Sequence, residues 1–179
     1  EADRPVVYYI AGQTDSLTTT MSANSIITDW VESAGGVYAA RPLGLEELTA
    51  TEVTPEAVFD LNPDVIICGG VYQHVAKNAV ETTDGWKNLK AVTTDRVYTN
   101  PYGNFNWDRF GLESLLQINY ALMCIQPEIA ADNGITRDSI IDEILDFYKT
   151  YTNYELSRTQ AEYMLNGLTP DGTAEFPLQ

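Results

Sequence analysis

Apolar positions come first in a solid block: Val6-Val7-Tyr8-Tyr9-Ile10 has no polar interruption. Such a run fits a strand buried on both faces, as in a parallel sheet. Gly12 and a polar stretch, "QTDSLTTTMS", follow and read as a loop. Over residues 22–34 the period lengthens, with Ile26, Ile27, Trp30, Val31 and Ala34 on one helical stripe and Gly35 as the stop. Val37 to Ala40 predicts a second strand. In "VTPEAVFDLNPDVIICGG", Thr54 can cap a helix, Pro55 suits its first position and Glu56 its first turn. Asn62-Pro63 ends that helix, and Val65 to Cys68 predicts a third buried strand closed by Gly69-Gly70.

A shorter helix is predicted over 73–81, then a loop containing Trp86, a strand over Arg96 to Pro101, and a long helix over 108–125. Helical spacing returns at 137–151, where Ile140, Ile141, Ile144, Leu145 and Tyr148 share a face. Ser157-Arg158-Thr159-Gln160 fits a capping box, with Gly167 ending the last helix. Strands alternating with helices predict an α/β fold: a single open, mainly parallel sheet in a three-layer α/β/α arrangement, with a helical C-terminal region. Residues 1–173 are expected to form this lobe and 174–179 a tail.

Composition narrows the function. The chain has 179 residues, 44% of them hydrophobic, which suits one core and argues against disorder. Ten basic residues against 26 acidic ones give a formal charge of −16, which disfavours nucleic acid as a partner and suits solubility or a basic partner. No apolar run reaches the ~18–20 residues of a membrane span. The opening "EADRPVVYYIAG" does not read as a signal peptide, so the expectation is either a cytosolic protein or a chain beginning after its export signal. Cys68 and Cys124 lack a metal-binding spacing and read as buried thiols, with a disulfide between them left open.

Ligands of open parallel sheets gather beyond the carboxyl ends of the strands. Three such ends can be read: Gly12-Gln13-Thr14, Gly69-Gly70-Val71-Tyr72-Gln73-His74, and Tyr102-Gly103-Asn104-Phe105-Asn106-Trp107. From them come the candidate ligand-binding residues Gln13, Thr14, Tyr72, Gln73, His74, Asn104, Phe105, Asn106 and Trp107, joined by Arg109 as an anion clamp. Each has a plainer reading. Gly69-Gly70 can be turn chemistry, His74 a hydrogen-bonded surface residue, Trp107 a packing residue, Asp108 a first-turn acid, and Arg109 a surface ion pair. A dinucleotide fingerprint, a phosphate loop and a nucleophile elbow are all missing from the sequence, so binding is favoured over catalysis and neither cofactor nor resident metal is expected.

Several segments resemble a family. "VTPEAVFDLNPDVIICGG", the block from Gly85 to Glu128 and "YMLNGLTPDGT" are similar, in order, to substrate-binding proteins of iron-chelate and cobalamin ABC importers. The resemblance covers about residues 5–173 and only the second of that family's two lobes, which a rigid helix joins around the ligand. It implies a C-terminal lobe lacking its N-terminal partner. It also implies an extracytoplasmic setting, periplasmic or as a cell-surface lipoprotein, with signal and anchor outside this chain. The implied solute is an iron complex (siderophore, haem or corrinoid-like chelate), handed to a membrane permease. Glu56 matches the family's surface glutamate that meets permease arginines, while the cleft loops vary too much to transfer binding residues. "NFNWDR" looks like the version in iron-complex binders. Two other readings stand beside this one: a small-molecule enzyme on a doubly wound fold, and a sensor or protein-interaction lobe.

Overall fold

The computed structural model describes residues 4–12, 16–46 and 50–174. Strand β1 (Val6–Ile10) is followed by strand β2 (Thr19–Met21), helix α1 (Ile26–Ser33) and strand β3 (Val37–Tyr38). Strand β4 (Ala50–Glu52) and helix α2 (Pro55–Leu61) lead to β5 (Val65–Cys68) and helix α3 (Gln73–Thr82). A 3-10 turn at Trp86–Asn88 and the short helix α4 (Lys90–Thr93) precede β6 (Val97–Thr99). The rest is helical: α5 (Ser114–Ile125), α6 (Pro127–Asp132), α7 (Arg137–Phe147) with a π-helical turn at Tyr148–Thr152, and α8 (Arg158–Leu165).

Four parallel strands pair in the order β3-β1-β5-β6, as the solid apolar runs predict. Both faces of the sheet are covered, which is why β1 and β5 carry no polar residue. Val7, Tyr9, Val65 and Ile67 point to one side, against α1 and the end of α5. Tyr8, Ile10, Ile66 and Cys68 point to the other, against α2, α3 and α4. A further cluster joins α5, α7 and α8 through Leu116, Tyr120, Ile140, Ile144 and Met164. Cys68 and Cys124 are unpaired and buried, and burial pushes both thiols up to about 12.

The caps form as the sequence suggests. Thr54 accepts a hydrogen bond from the Ala57 amide at 3.2 Å, and Asn62 ends α2 in the left-handed region. Ser157 and Gln160 close a capping box on α8.

Three departures from expectation are the largest. The stretch read as a polar loop contains β2, which pairs antiparallel with β4 in the register Thr19↔Glu52, and hydroxyls of Ser16 and Thr18 donate to Glu52. Alternation there is weak because the ribbon is short and rich in threonine. Helix α1 starts at Ile26 rather than near residue 22, because Ser25 turns back to donate to the Ser22 carbonyl at 2.7 Å. The long helix expected from residue 108 begins only at Ser114. Asp108 folds inward with no exposed surface, and Glu113 accepts from the Asn104 and Phe105 amides at 2.8 and 2.9 Å. Those two anchors hold the segment between them as a loop.

Candidate cleft at the carboxyl edge of the sheet

The chain steps from β1 to β3 on one side, then returns past β1 to β5 on the other. Strand order therefore reverses between β1 and β5, the place where an open α/β sheet leaves a crevice. Gly12 and Gly70 lie at this point with φ of +61° and +70°, beyond the reach of most side chains. A Cβ on Gly12 would overlap the Gly69 carbonyl oxygen, and one on Gly70 would crowd the Ala11 carbonyl. A Cβ on Gly69 would strike the Tyr9 hydroxyl and the Asp108 carboxylate. The bare backbone at these tips is thus occupied from within, by the adjoining strand end and by the loop after β6.

That loop seals the tip of β5. Asn106 Nδ2 donates to the Gly70 carbonyl at 2.9 Å. Asp108 Oδ2 accepts from the Tyr9 hydroxyl at 2.5 Å and from the Gly70 amide at 3.3 Å. Burial pushes the Asp108 carboxyl above its usual range, although the Tyr9 hydroxyl, Arg109 and the Gly70 amide each pull it back. Burial, and then the neighbouring Asp108 charge, raise the Tyr9 phenol well above its ordinary value. Among the described residues, Asp108 Oδ1 has no hydrogen-bond partner, and Arg109 Nε stands 3.6 Å from it.

Beside this cluster opens a cleft of about 600 Å³, within the range of small-molecule sites. Its walls come from the end of β1 (Tyr9, Ala11), the turn into α1 with that helix's first residues, and Asp108 to Phe110. Arg41 also reaches it, but its guanidinium is held by both oxygens of Glu32, at 2.5 and 3.2 Å. A second hollow of about 810 Å³ lies beyond Phe110, between the loop 103–113 and the π-helical turn, lined by Asn104, Phe105, Tyr148 and Tyr154 among others.

The predicted ligand-binding residues divide. Gln13 and Thr14 lie outside the described residues. Arg109 lines the first cleft, whereas Asn104 and Phe105 line the second hollow. Tyr72, half-buried, stands at the N-terminus of α3. Gln73 is buried and donates to the Gly167 carbonyl at 2.6 Å, with His74 Nε2 3.0 Å from the same oxygen. This pair ties the start of α3 to the chain after α8. Asn106 is buried on Gly70, and Trp107 has no exposed surface and packs among Leu116, Ile144 and Met164. Glu56 is exposed in the first turn of α2.

Sequence reading missed the pairing of Asp108 with Tyr9. The available signal was a pair of phenols, Tyr8 and Tyr9, inside an otherwise aliphatic strand and an acid set between aromatics just ahead of Gly111. Among the described residues, no cluster of three His, Cys, Asp or Glu side chains could hold a metal, and no helix is long and apolar enough to cross a membrane.

A family model described as periplasmic binding protein matches residues 1–102 of the chain. A periplasmic solute binding protein from Veillonella parvula superposes with a TM-score of 0.73 at 24% identity, over 93% of this chain and 48% of that one. An ABC transporter solute binding protein from Sulfurospirillum deleyianum gives 0.69 at 25% identity, over 86% and 45%. The molybdate periplasmic binding protein of Haemophilus influenzae, solved with molybdate bound, gives 0.68 at 20%, over 86% and 44%. The chain spans about half the length of these solved structures. No curated protein matches it.

Proposed function

This chain belongs to the periplasmic binding protein family, and from that premise we propose that it is the C-terminal lobe of a two-lobed, extracytoplasmic solute-binding protein serving an ABC importer. Its work is capture and hand-over, with no bond made or broken. The observation that carries this reading is the cleft beside the reversal of strand order, open at the carboxyl end of β1 and walled partly by apolar and partly by hydrogen-bonding groups. One lobe offers one wall, and a second lobe closes over the solute. The solute is a metal chelate of the iron-complex class, siderophore, haem or corrinoid-like, with the metal as cargo rather than as a resident group. Half-buried apolar walls beside amide and hydroxyl groups suit an organic chelate, and the exposed aromatic ring of Phe110 at the rim offers it a flat surface.

Glu56 is the contact to the permease. It projects from the tip of a helix whose N-terminus is already capped by Thr54, so its carboxylate is free for a bidentate partner such as arginine. Replacing Glu56 with Arg in the protein's own host should lower chelate import by about tenfold or more while solute affinity holds, because a like-charge clash disrupts docking alone. Import measured with a radiolabelled ferric chelate checks this. Undiminished uptake removes Glu56 from the role.

A further inference from the structure

We propose that Asp108 selects the solute, and that the cleft takes molecules presenting an O–H or N–H donor to its Oδ1 rather than bare oxyanions. The inference rests on the solute-binding reading above and names the chemistry of that same site.

Asp108 lines the cleft, yet its side chain has no exposed surface, and its two oxygens are treated unequally. Oδ2 takes two donors, the Tyr9 hydroxyl and the Gly70 amide. Oδ1 takes none among the described residues. Buried carboxylate oxygens are nearly always satisfied, and one left over at the wall of a cavity is an acceptor waiting for a partner. The adjacent Arg109 does not fill the role: its Nε is 3.6 Å away, beyond hydrogen-bond length, and the side chain is 42% exposed. Arg109 lies loosely against Oδ1, and a solute donor displaces it by swinging the guanidinium outward.

The remaining charges point the same way. Arg41 is neutralised by Glu32, Arg109 is balanced by Asp108, and Asp29 adds an acid on the rim. Among the described residues, the cleft therefore has no spare positive charge for an oxyanion, on a chain of formal charge −16. Its apolar lining, with Phe110 at the mouth, favours a flat organic group carrying the donor.

Substituting Asp108→Asn turns the logic round. The two donors on Oδ2 require an acceptor there, so the amide oxygen takes that place and the NH2 faces the cleft where Oδ1 stood. An acceptor becomes a donor with no change of shape.

The test is saturation-transfer NMR on the 179-residue chain with catechol and with 1,2-dimethoxybenzene, the same ring without O–H donors. Catechol should show about fivefold stronger transfer on the native chain, the discrimination expected of one buried hydrogen bond. In Asp108→Asn, verified as folded by circular dichroism, catechol should fall to the level of its ether, while molybdate, titrated by calorimetry, should bind better than to the native chain. Equal transfer from both rings on the native chain, or none from either, overturns the inference whether or not the variant folds. Catechol transfer that survives in folded Asp108→Asn overturns it too. Equal transfer from both rings would leave the transport reading standing, since that reading falls only if a host lacking this protein imports the ferric chelate undiminished.

Discussion

Helix α2 begins with a finished end: the Thr54 hydroxyl accepts from the Ala57 amide, Pro55 needs no partner, and Glu56 complements the dipole. Helix α1 also precedes a parallel strand and also begins with a hydroxyl residue. Its Ser25, however, donates backward to Ser22 and caps nothing, and the helix opens onto the cleft. Both ends lie on the carboxyl edge of the sheet, since both helices return the chain to start a parallel strand. The difference teaches that local completeness and function are separable. A helix end that satisfies itself is free to carry an outward acid for a protein partner. One left incomplete beside a cavity can answer a small molecule.

The largest effect should come from breaking the junction on which the cleft is founded. Gly12→Ala combines a left-handed backbone with overlap on the Gly69 carbonyl, and should cost about 3–5 kcal/mol in urea denaturation. A loss below 1 kcal/mol would mean that the two strand tips are not in the contact described.

Next in size is the response of Asp108 to pH. Because burial raises its pKa in the folded chain, its stabilising share is whole below the unfolded carboxylate value and is lost as pH rises through the folded value. Asp108→Asn does not ionise, so its stability relative to the native chain should improve steadily from about pH 4 upward. Urea midpoints measured across that range check the sign. A difference that stays flat would show that the carboxylate is as comfortable folded as unfolded.

The smallest effects sharpen the contrast between the helix ends. Thr54→Ala removes a true cap and should cost about 1 kcal/mol. Ser25→Ala removes only a bond to a turn carbonyl and should cost about half as much. Equal losses in thermal denaturation would mean that the two ends are not finished differently.

The parallel sheet was legible because β1 and β5 are apolar on both faces, which only a doubly covered strand tolerates. Thr54, Asn62, Ser157 and Gly35 marked helix ends through local chemistry that acts over three or four residues. What stayed hidden depends on contacts across the chain. Asp108 reads as an ordinary first-turn acid until the fold brings Tyr9, 99 positions away in sequence, against it. Gln73 and His74 look like binding groups until Gly167 is placed beside them. The β2–β4 ribbon escaped because three-residue strands rich in threonine leave no readable period.

The loop after β6 grips Gly70 from both of its polar groups, the carbonyl through Asn106 and the amide through Asp108. On the solute-binding reading proposed above, a guest arriving at this wall meets a floor whose shape was settled when the chain folded. Little order has to be created at the moment of capture, so most of the attraction is kept as affinity. Within this lobe, the moving part of the encounter is then confined to exposed side chains at the rim, Arg109 and Phe110 first among them.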